Sequence, residues 1–397
     1  MVNASTVYAH VVAGGEHALA TIKTAGSGNQ TNDQVIAEAA TPGKSPIERA
    51  LPAGDAQVAT IAAGAYHNLV ATSMGCLYAW GVGVFQGSNA RDGCIPALGQ
   101  RGALDEVMTP TRVHIDGGEK AKALAAGAYH SVVLTESRKV LTFGAAQLGQ
   151  LGRRLTRAQT DGSGLPVDDT PAEVSGLPAS CAPVRIGAAF YNTYVLCKGK
   201  GAYCTGENQN GQCGASRERN IHTMSSIPEL EGEALAQLDG GYCHTLALTD
   251  DGRVLSMGCG EDGQRGCGVI ADDETSVGAI TEVVLPGKAK SVAAGLNHSL
   301  ALTHAGDVFA WGSNEYGQLG VDGDEPRASP VRVEGLPNDR GVPVHISAGS
   351  THSHVLYPDG SVYSFGGGGN GQLMDGSSSE TQGTPIRAVA PQRQRSV

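Results

Sequence analysis

Six histidines fall at one recurring position of the chain, His17, His67, His130, His244, His298 and His352, and a further copy of the same phrase holds Asn192 there. Imidazole is the commonest metal ligand and the side chain best suited to moving protons near neutral pH. A residue that recurs in every copy of a phrase does what every copy needs, however, and the amide of Asn192 replaces a hydrogen bond better than it replaces a ligand. The position is therefore read as a hydrogen bond from the ring to neighbouring backbone.

Other chemical patterns are weaker. Nine cysteines form an odd set without a Cys-x-x-Cys pair, and the tightest group, Cys197, Cys204, Cys213 and Cys243 beside His244, has no zinc spacing. Reduced, buried thiols are expected. Gly43-Lys-Ser lacks the upstream glycine of a phosphate-cradling loop, and the Gly366-x-Gly-x-x-Gly371 run opens no helix. There is no Gly-x-Ser-x-Gly elbow, and Asp105-Glu106, Asp272-Asp273-Glu274 and the acidic run 322–325 read as solvated loop charges. No covalent catalysis, no cofactor and no metal is expected.

Composition narrows the partners. The net charge of -11 opposes nucleic acid and anionic membranes and favours a partner with basic patches. No run of residues approaches the roughly 20 apolar positions of a membrane span. The first ten residues carry neither a basic region nor an apolar core, so the expected location is nuclear or cytoplasmic rather than secreted. A monomer is expected, with residues 391–397 as a disordered tail.

The elements that must hold these residues follow from the repeat. The phrase apolar, small, small, Gly, x, x, His, small, apolar, x, apolar leads into a turn and then apolar, x, aromatic, Gly. Its markers, at 17, 67, 130, 192, 244, 298 and 352, stand 50, 63, 62, 52, 54 and 54 residues apart, the spacing of propeller blades. Within Ser299-Leu-Ala-Leu-Thr-His-Ala-Gly-Asp-Val-Phe-Ala-Trp-Gly the apolar period is two, as in a hairpin. Ser313-Asn-Glu-Tyr-Gly-Gln-Leu-Gly is too glycine-rich for a helix, and Ser329-Pro-Val-Arg-Val supplies an outer strand where proline is tolerated. Such a four-stranded sheet cannot bury both faces alone, so the reading is all-β: one seven-bladed β-propeller over residues 1–397. The first copy has little room for a hairpin turn after Ala20-Thr-Ile-Lys-Thr, and closure is expected from residues near 384–390 as an outer strand beside 7–22.

Residues 292–320, together with Gly149-Gln-Leu-Gly152, Gly211-Gln-Cys-Gly214, Gly263-Gln-Arg-Gly266 and Gly371-Gln-Leu373, resemble the repeat of the regulator of chromosome condensation superfamily. The resemblance implies a protein-binding propeller: a guanine-nucleotide exchange factor for a Ran-type small GTPase, or a non-catalytic interaction scaffold. Any magnesium and nucleotide would belong to the GTPase. It also implies that the long loop 82–98, with Phe85, Gln86, Asn89, Arg91 and Asp92, corresponds to a wedge against the GTPase. By the same likeness His17, His244 and His352 fall on the GTPase-facing surface, and Arg153, Arg154 and Arg157 correspond to a loop that meets acidic histones. The chain departs from the family where acidic residues are expected before the second and third markers. Ala65-Tyr66 and Ala128-Tyr129 stand there, and Gly366-Gly-Gly-Gly-Asn370 replaces an aspartate-bearing turn. The light-sensing members use a tryptophan cluster, and only Trp80 and Trp311 exist here.

Overall fold

The computed structural model describes residues 7–15, 17–24, 32–37, 47–49, 51, 57–82, 98, 106–155, 159–160, 166–216, 218–270, 278–377 and 379–389. Their regular structure is almost wholly strand, in antiparallel sheets whose first strands line one central channel.

The blade at 289–332 shows how the repeat builds its sheet. Ala289–Ala294 runs beside the channel, His298–Thr303 and Val308–Gly312 follow in order, and Arg327–Arg332 is outermost. The second and third strands are buried along their whole length, whereas the outer strand is not. That gradient is what radial stacking of twisted sheets produces, since only the middle strands are covered on both faces. Two glycines are required here. A Cβ on Gly295 would collide with the ring of His298, and Gly312 holds φ 102° directly against the His298 Cα.

Among the described residues the unit in which a marker faces such a glycine occurs six times: His67 with Gly81, His130 with Gly144, Asn192 with Gly206, His244 with Gly258, His298 with Gly312 and His352 with Gly366. The seven-bladed expectation is thereby corrected to six complete blades, spanning 58–113, 121–173, 183–226, 235–283, 289–332 and 345–387. They are called blades one to six below. An N-terminal sheet, Val7–Ala13, Ala18–Thr24, Asn32–Ala37 and Ile47–Arg49, stands between blades six and one without that unit. The reason is physical: a marker reports only the first hairpin of a blade, and the first copy has the marker phrase but not the aromatic-glycine end. Blade two carries a fifth strand, Gln159–Thr160, beside Pro166–Glu173.

Closure also differs from expectation. Thr381–Arg387 pairs with Val362–Gly367 inside blade six, not with 7–22. The N-terminal sheet meets blade six through side chains instead, with Val11, Ala18 and Ala20 packed on Leu356, Val362, Met374 and Ala388. The other hydrophobic clusters likewise straddle neighbouring blades, as where Leu69 and Trp80 meet Val133 and Phe143.

The expectation of reduced thiols is corrected as well. Cys181–Cys197, Cys204–Cys213 and Cys243–Cys259 are disulfides, while Cys76 and Cys267 are free. Linear spacing hid the pairs because strand register and turns create them. The Cys259 amide, for example, bonds the Cys243 carbonyl at 3.0 Å.

Candidate interaction site at the propeller mouth

Each marker sits just after a tight turn between the first two strands of its sheet, and these turns crowd together at one mouth of the channel. Their backbones form an unbroken circle. Gly15 donates to the Gly64 carbonyl, Ala65 to Ala128, Ala128 to Phe190, Phe190 to Gly241, Tyr242 to Leu296, Leu296 to Gly349 and Ser350 back to Gly15, at 3.0–3.3 Å throughout save 2.9 Å for Tyr242. Turns tied to one another by these bonds form a stiff platform.

The marker side chains stiffen the platform from below. Nε2 of His17 lies 2.8 Å from Asn68 Oδ1, His67 3.0 Å from Ser131 Oγ, His130 3.0 Å from Thr193 Oγ1, His244 2.9 Å from Ser299 Oγ and His298 2.9 Å from Ser353 Oγ. Each bond crosses to the next sheet. Thr193, Ser299 and Ser353 in turn donate to the carbonyls of Gln150, Gln264 and Gln318, so in those latches the ring nitrogen is the donor. The latch partner of Nε2 is a neighbouring side chain, and the backbone bond expected from the sequence stands beside it where His17 meets Ala65 and His130 meets Asn192. Burial, the largest cause, holds these rings neutral, with pKa values near 3 for His67 and His298 and near 4 for His130 and His244. Asn192 makes no such latch: its amide donates within its own blade, to the Glu207 carbonyl at 2.5 Å. Tyr194 replaces it, its hydroxyl 2.7 Å from Thr245 Oγ1, which donates to Gln212.

Above the circle lies an arc of aromatic rings from four consecutive blades. Tyr66 and Tyr129 are stacked at 5.9 Å, Tyr129 meets Phe190 at 6.1 Å and Tyr191 at 6.5 Å, and Phe190 and Tyr191 are edge-to-face at 4.8 Å. Tyr242 completes it, 5.3 Å from Phe190 and 6.2 Å from Tyr191. Tyr242 is 42% exposed and the others are half-buried. The Tyr191 hydroxyl is pushed up to about 12, first by burial and then by Tyr242, Glu207 and Tyr66 around it. Glu207 ends the third strand of its blade and is half-buried at the edge of the arc. Burial raises its carboxyl, against the bond it accepts from Gln209.

Beneath the mouth the channel has a volume of about 790 Å³, lined by small residues of the inner strands. Asp239 is on its wall. Burial lifts its carboxyl to about 7, although the Ala294 and Gly240 amides donate to it and favour the anion.

The residues singled out in the sequence are not brought together at this mouth as side chains. His17, His244 and His352 are buried beneath it, at 6%, 0% and 0% exposure. Arg153 is buried too, its Nη1 2.7 Å from Asp168 Oδ2 and its Nη2 on the carbonyls of Thr142 and Thr170. Arg154 is exposed. Phe85, Gln86, Asn89, Arg91, Asp92 and Arg157 lie outside the described residues. The aromatic arc is not among the residues the sequence singles out as a site, although two of its members, Tyr66 and Tyr129, stand where the family resemblance places acidic residues.

Comparison with known proteins agrees with this geometry. Models of the regulator of chromosome condensation repeat match residues 121–150, 236–264, 289–318, 305–356 and 344–372. The chain belongs to this superfamily. The chain is 31% identical to the mitochondrial RCC1 domain-containing protein RUG3 of Arabidopsis thaliana over 75% of its own length and 64% of the relative's. It is 33% identical to the human probable E3 ubiquitin-protein ligase HERC6 over 68% of its own length and 25% of that protein's. It thus spans less than two thirds of each of these relatives. Among solved structures, Prp20p of Saccharomyces cerevisiae, described with its binding to Gsp1p and histones, superposes with a TM-score of 0.69 at 21% identity, covering 87% of this chain and 80% of that one.

Proposed function

We propose that this member of the superfamily is a non-catalytic protein-binding propeller that receives its partner at the marker mouth. The observation that carries the reading is the aromatic arc on the closed circle of backbone bonds. Interface anchors are typically tyrosine and other aromatic side chains held in advance by a stiff scaffold. The test is affinity capture with the chain and with Tyr242→Ala. A reproducible partner lost from the variant at unchanged melting temperature supports the reading, and a partner indifferent to the substitution removes it.

A second reading is nucleotide exchange on a Ran-type GTPase, supported by the fold shared with Prp20p and by the long sequence interval between the third and fourth strands of blade one, Leu77–Val82 and Glu106–Val113. It requires stabilising the nucleotide-free GTPase over the loaded one, tenfold in rate for each roughly 1.4 kcal/mol. Buried His17, His244 and His352 offer such a partner no side-chain surface. Release of fluorescent GDP from a Ran-type GTPase at micromolar chain decides it, and an unaccelerated rate ends the reading for that GTPase.

A further inference from the structure

We propose that the arc of Tyr66, Tyr129, Phe190, Tyr191 and Tyr242, with the Glu207 carboxylate at its edge, recognises an arginine side chain presented by a basic segment of the partner. This rests on the docking reading above and names the chemistry of the occupant.

Three observations converge on a guanidinium. The first is the ring geometry: five aromatic rings from four blades run in a chain whose neighbouring centroids are 4.8–6.5 Å apart, on a support tied by a circle of backbone bonds. The face of an aromatic ring is electronegative and attracts a cation placed over it, while a planar guanidinium also stacks on it.

The second is the carboxylate. Glu207 is half-buried beside Tyr191, accepts from Gln209 through Oε1, and takes part in no ion pair among the described residues. Partial burial of an anion without a counter-charge is unfavourable, and a guanidinium that donates to Oε2 while stacked on Tyr191 relieves it. The third is the field. The net charge of -11 draws basic segments to the chain, and Asp239 adds a carboxyl to the channel wall just inside the mouth. Where the family resemblance leads one to expect carboxylates in the turns, this chain has rings, so cation recognition here works through faces of aromatics with a single acid at the rim.

The test is fluorescence polarisation of a fluorescein-labelled (Arg-Gly)6 peptide at physiological salt, with (Lys-Gly)6 and (Glu-Gly)6 for comparison. The arginine peptide is expected to bind most tightly and the glutamate peptide not at all. Tyr242→Ala and Glu207→Gln are each expected to weaken the arginine peptide about fivefold, while Glu136→Gln, an exposed acid in the turn at the other end of its blade, leaves it unchanged. If Tyr242→Ala melts early, Tyr242→Leu keeps the bulk and removes the ring face. No binding, equal binding of lysine and arginine peptides, or equal weakening by Glu136→Gln overturns the assignment. A partner captured through Tyr242 while the arginine peptide fails to bind overturns this inference alone and leaves the docking reading standing.

Discussion

The amide of Ser350 donates to the carbonyl of Gly15 at 3.1 Å, joining the last blade to the N-terminal sheet across 335 positions of sequence. That bond completes the circle of backbone bonds at the mouth, and Ala13 adds a second tie by donating to Ser347 Oγ at 2.8 Å. The side-chain layer beneath is incomplete at the same seam. His352 has the place of a latch histidine, but the residue opposite it, after the marker of the N-terminal sheet, is Ala18. The apolar contact there sets Val11, Ala18 and Ala20 against Leu356, Val362, Met374 and Ala388, so on the N-terminal side two alanines stand where a longer side chain or a hydroxyl has room to add a contact.

Supplying the missing hydroxyl should therefore stabilise the molecule. Ala18 has the register position that Ser131, Ser299 and Ser353 have in their sheets, each one residue past its marker and opposite an alanine. Ala18→Ser places an Oγ where the His352 ring can donate. A buried hydrogen bond contributes about 1 kcal/mol, so the melting temperature is expected to rise by a few degrees. A melt that falls means the His352 ring is not aimed across the seam.

The converse substitution isolates one latch. Tyr194→Phe removes only the hydroxyl that faces Thr245, and Thr245 keeps its bond to the Gln212 carbonyl. The expected cost is about 1 kcal/mol, because no partner is stranded. His298→Ala removes a buried ring and a latch together, and the loss should be on the order of 3 kcal/mol. Urea unfolding of the pair checks the ranking, and equal losses contradict the account of Tyr194 as a one-bond substitute.

How much of this was legible depends on the distance over which a residue acts. Gly295 and Gly312 could be read from the repeat because they act on His298 in their own blade. The latch partners, four hydroxyls and the Asn68 amide, were equally visible, but their histidines lie 51 to 64 positions away, and no local pattern connects them. The six-fold recurrence of the complete blade was obscured for a related reason, since the marker survives in an N-terminal sheet that lacks the facing glycine. The disulfides do not follow from linear spacing, because strand register and turns bring Cys181 to Cys197 and Cys243 to Cys259. Arg153 and Arg154 share one expected role in the sequence, and burial separates them: Arg153 pairs with Asp168 while Arg154 is exposed.

Those two arginines should separate sharply in stability. Arg153→Ala takes the counter-charge from the buried Asp168 carboxylate, which keeps the Thr170 amide, and removal of one partner of a buried pair costs about 3 to 5 kcal/mol. Arg154→Ala touches an exposed side chain and should change stability by less than about 0.5 kcal/mol. Chemical denaturation reads both, and similar losses would place Arg153 at the surface instead.

Thiol chemistry gives a direct check on covalent structure. Alkylation without reductant should label Cys76 and Cys267, and should label Cys181, Cys197, Cys204, Cys213, Cys243 and Cys259 only after reduction. A disulfide closing a loop of 16 positions stabilises by roughly 3 kcal/mol in the chain-entropy view, so reduction should also lower the melting temperature by several degrees. Peptide mapping that finds Cys243 or Cys259 alkylated in the unreduced protein contradicts the pairing in blade four.

Acid should unfold the propeller by way of the latches. In the folded state His67 and His298 are held near 3 and His130 and His244 near 4, chiefly by burial, whereas an unfolded histidine titrates near 6.5. Below about 6.5 the unfolded chain binds protons that the folded chain refuses, so the stability these rings contribute is complete above that pH and is lost as it falls toward 4. Asp239 acts in the opposite sense. Its carboxyl, raised to about 7, is the more stable in its folded setting when protonated, so its contribution is full below the unfolded value near 4 and declines as pH rises through 7. Four rings outweigh one acid, and the net expectation is cooperative unfolding between about pH 6 and 4. Circular dichroism against pH measures this directly, and His298→Gln, which hydrogen-bonds without titrating, should move the midpoint to lower pH relative to the variant's own stability at neutral pH. An unmoved midpoint would assign the acid transition to other groups.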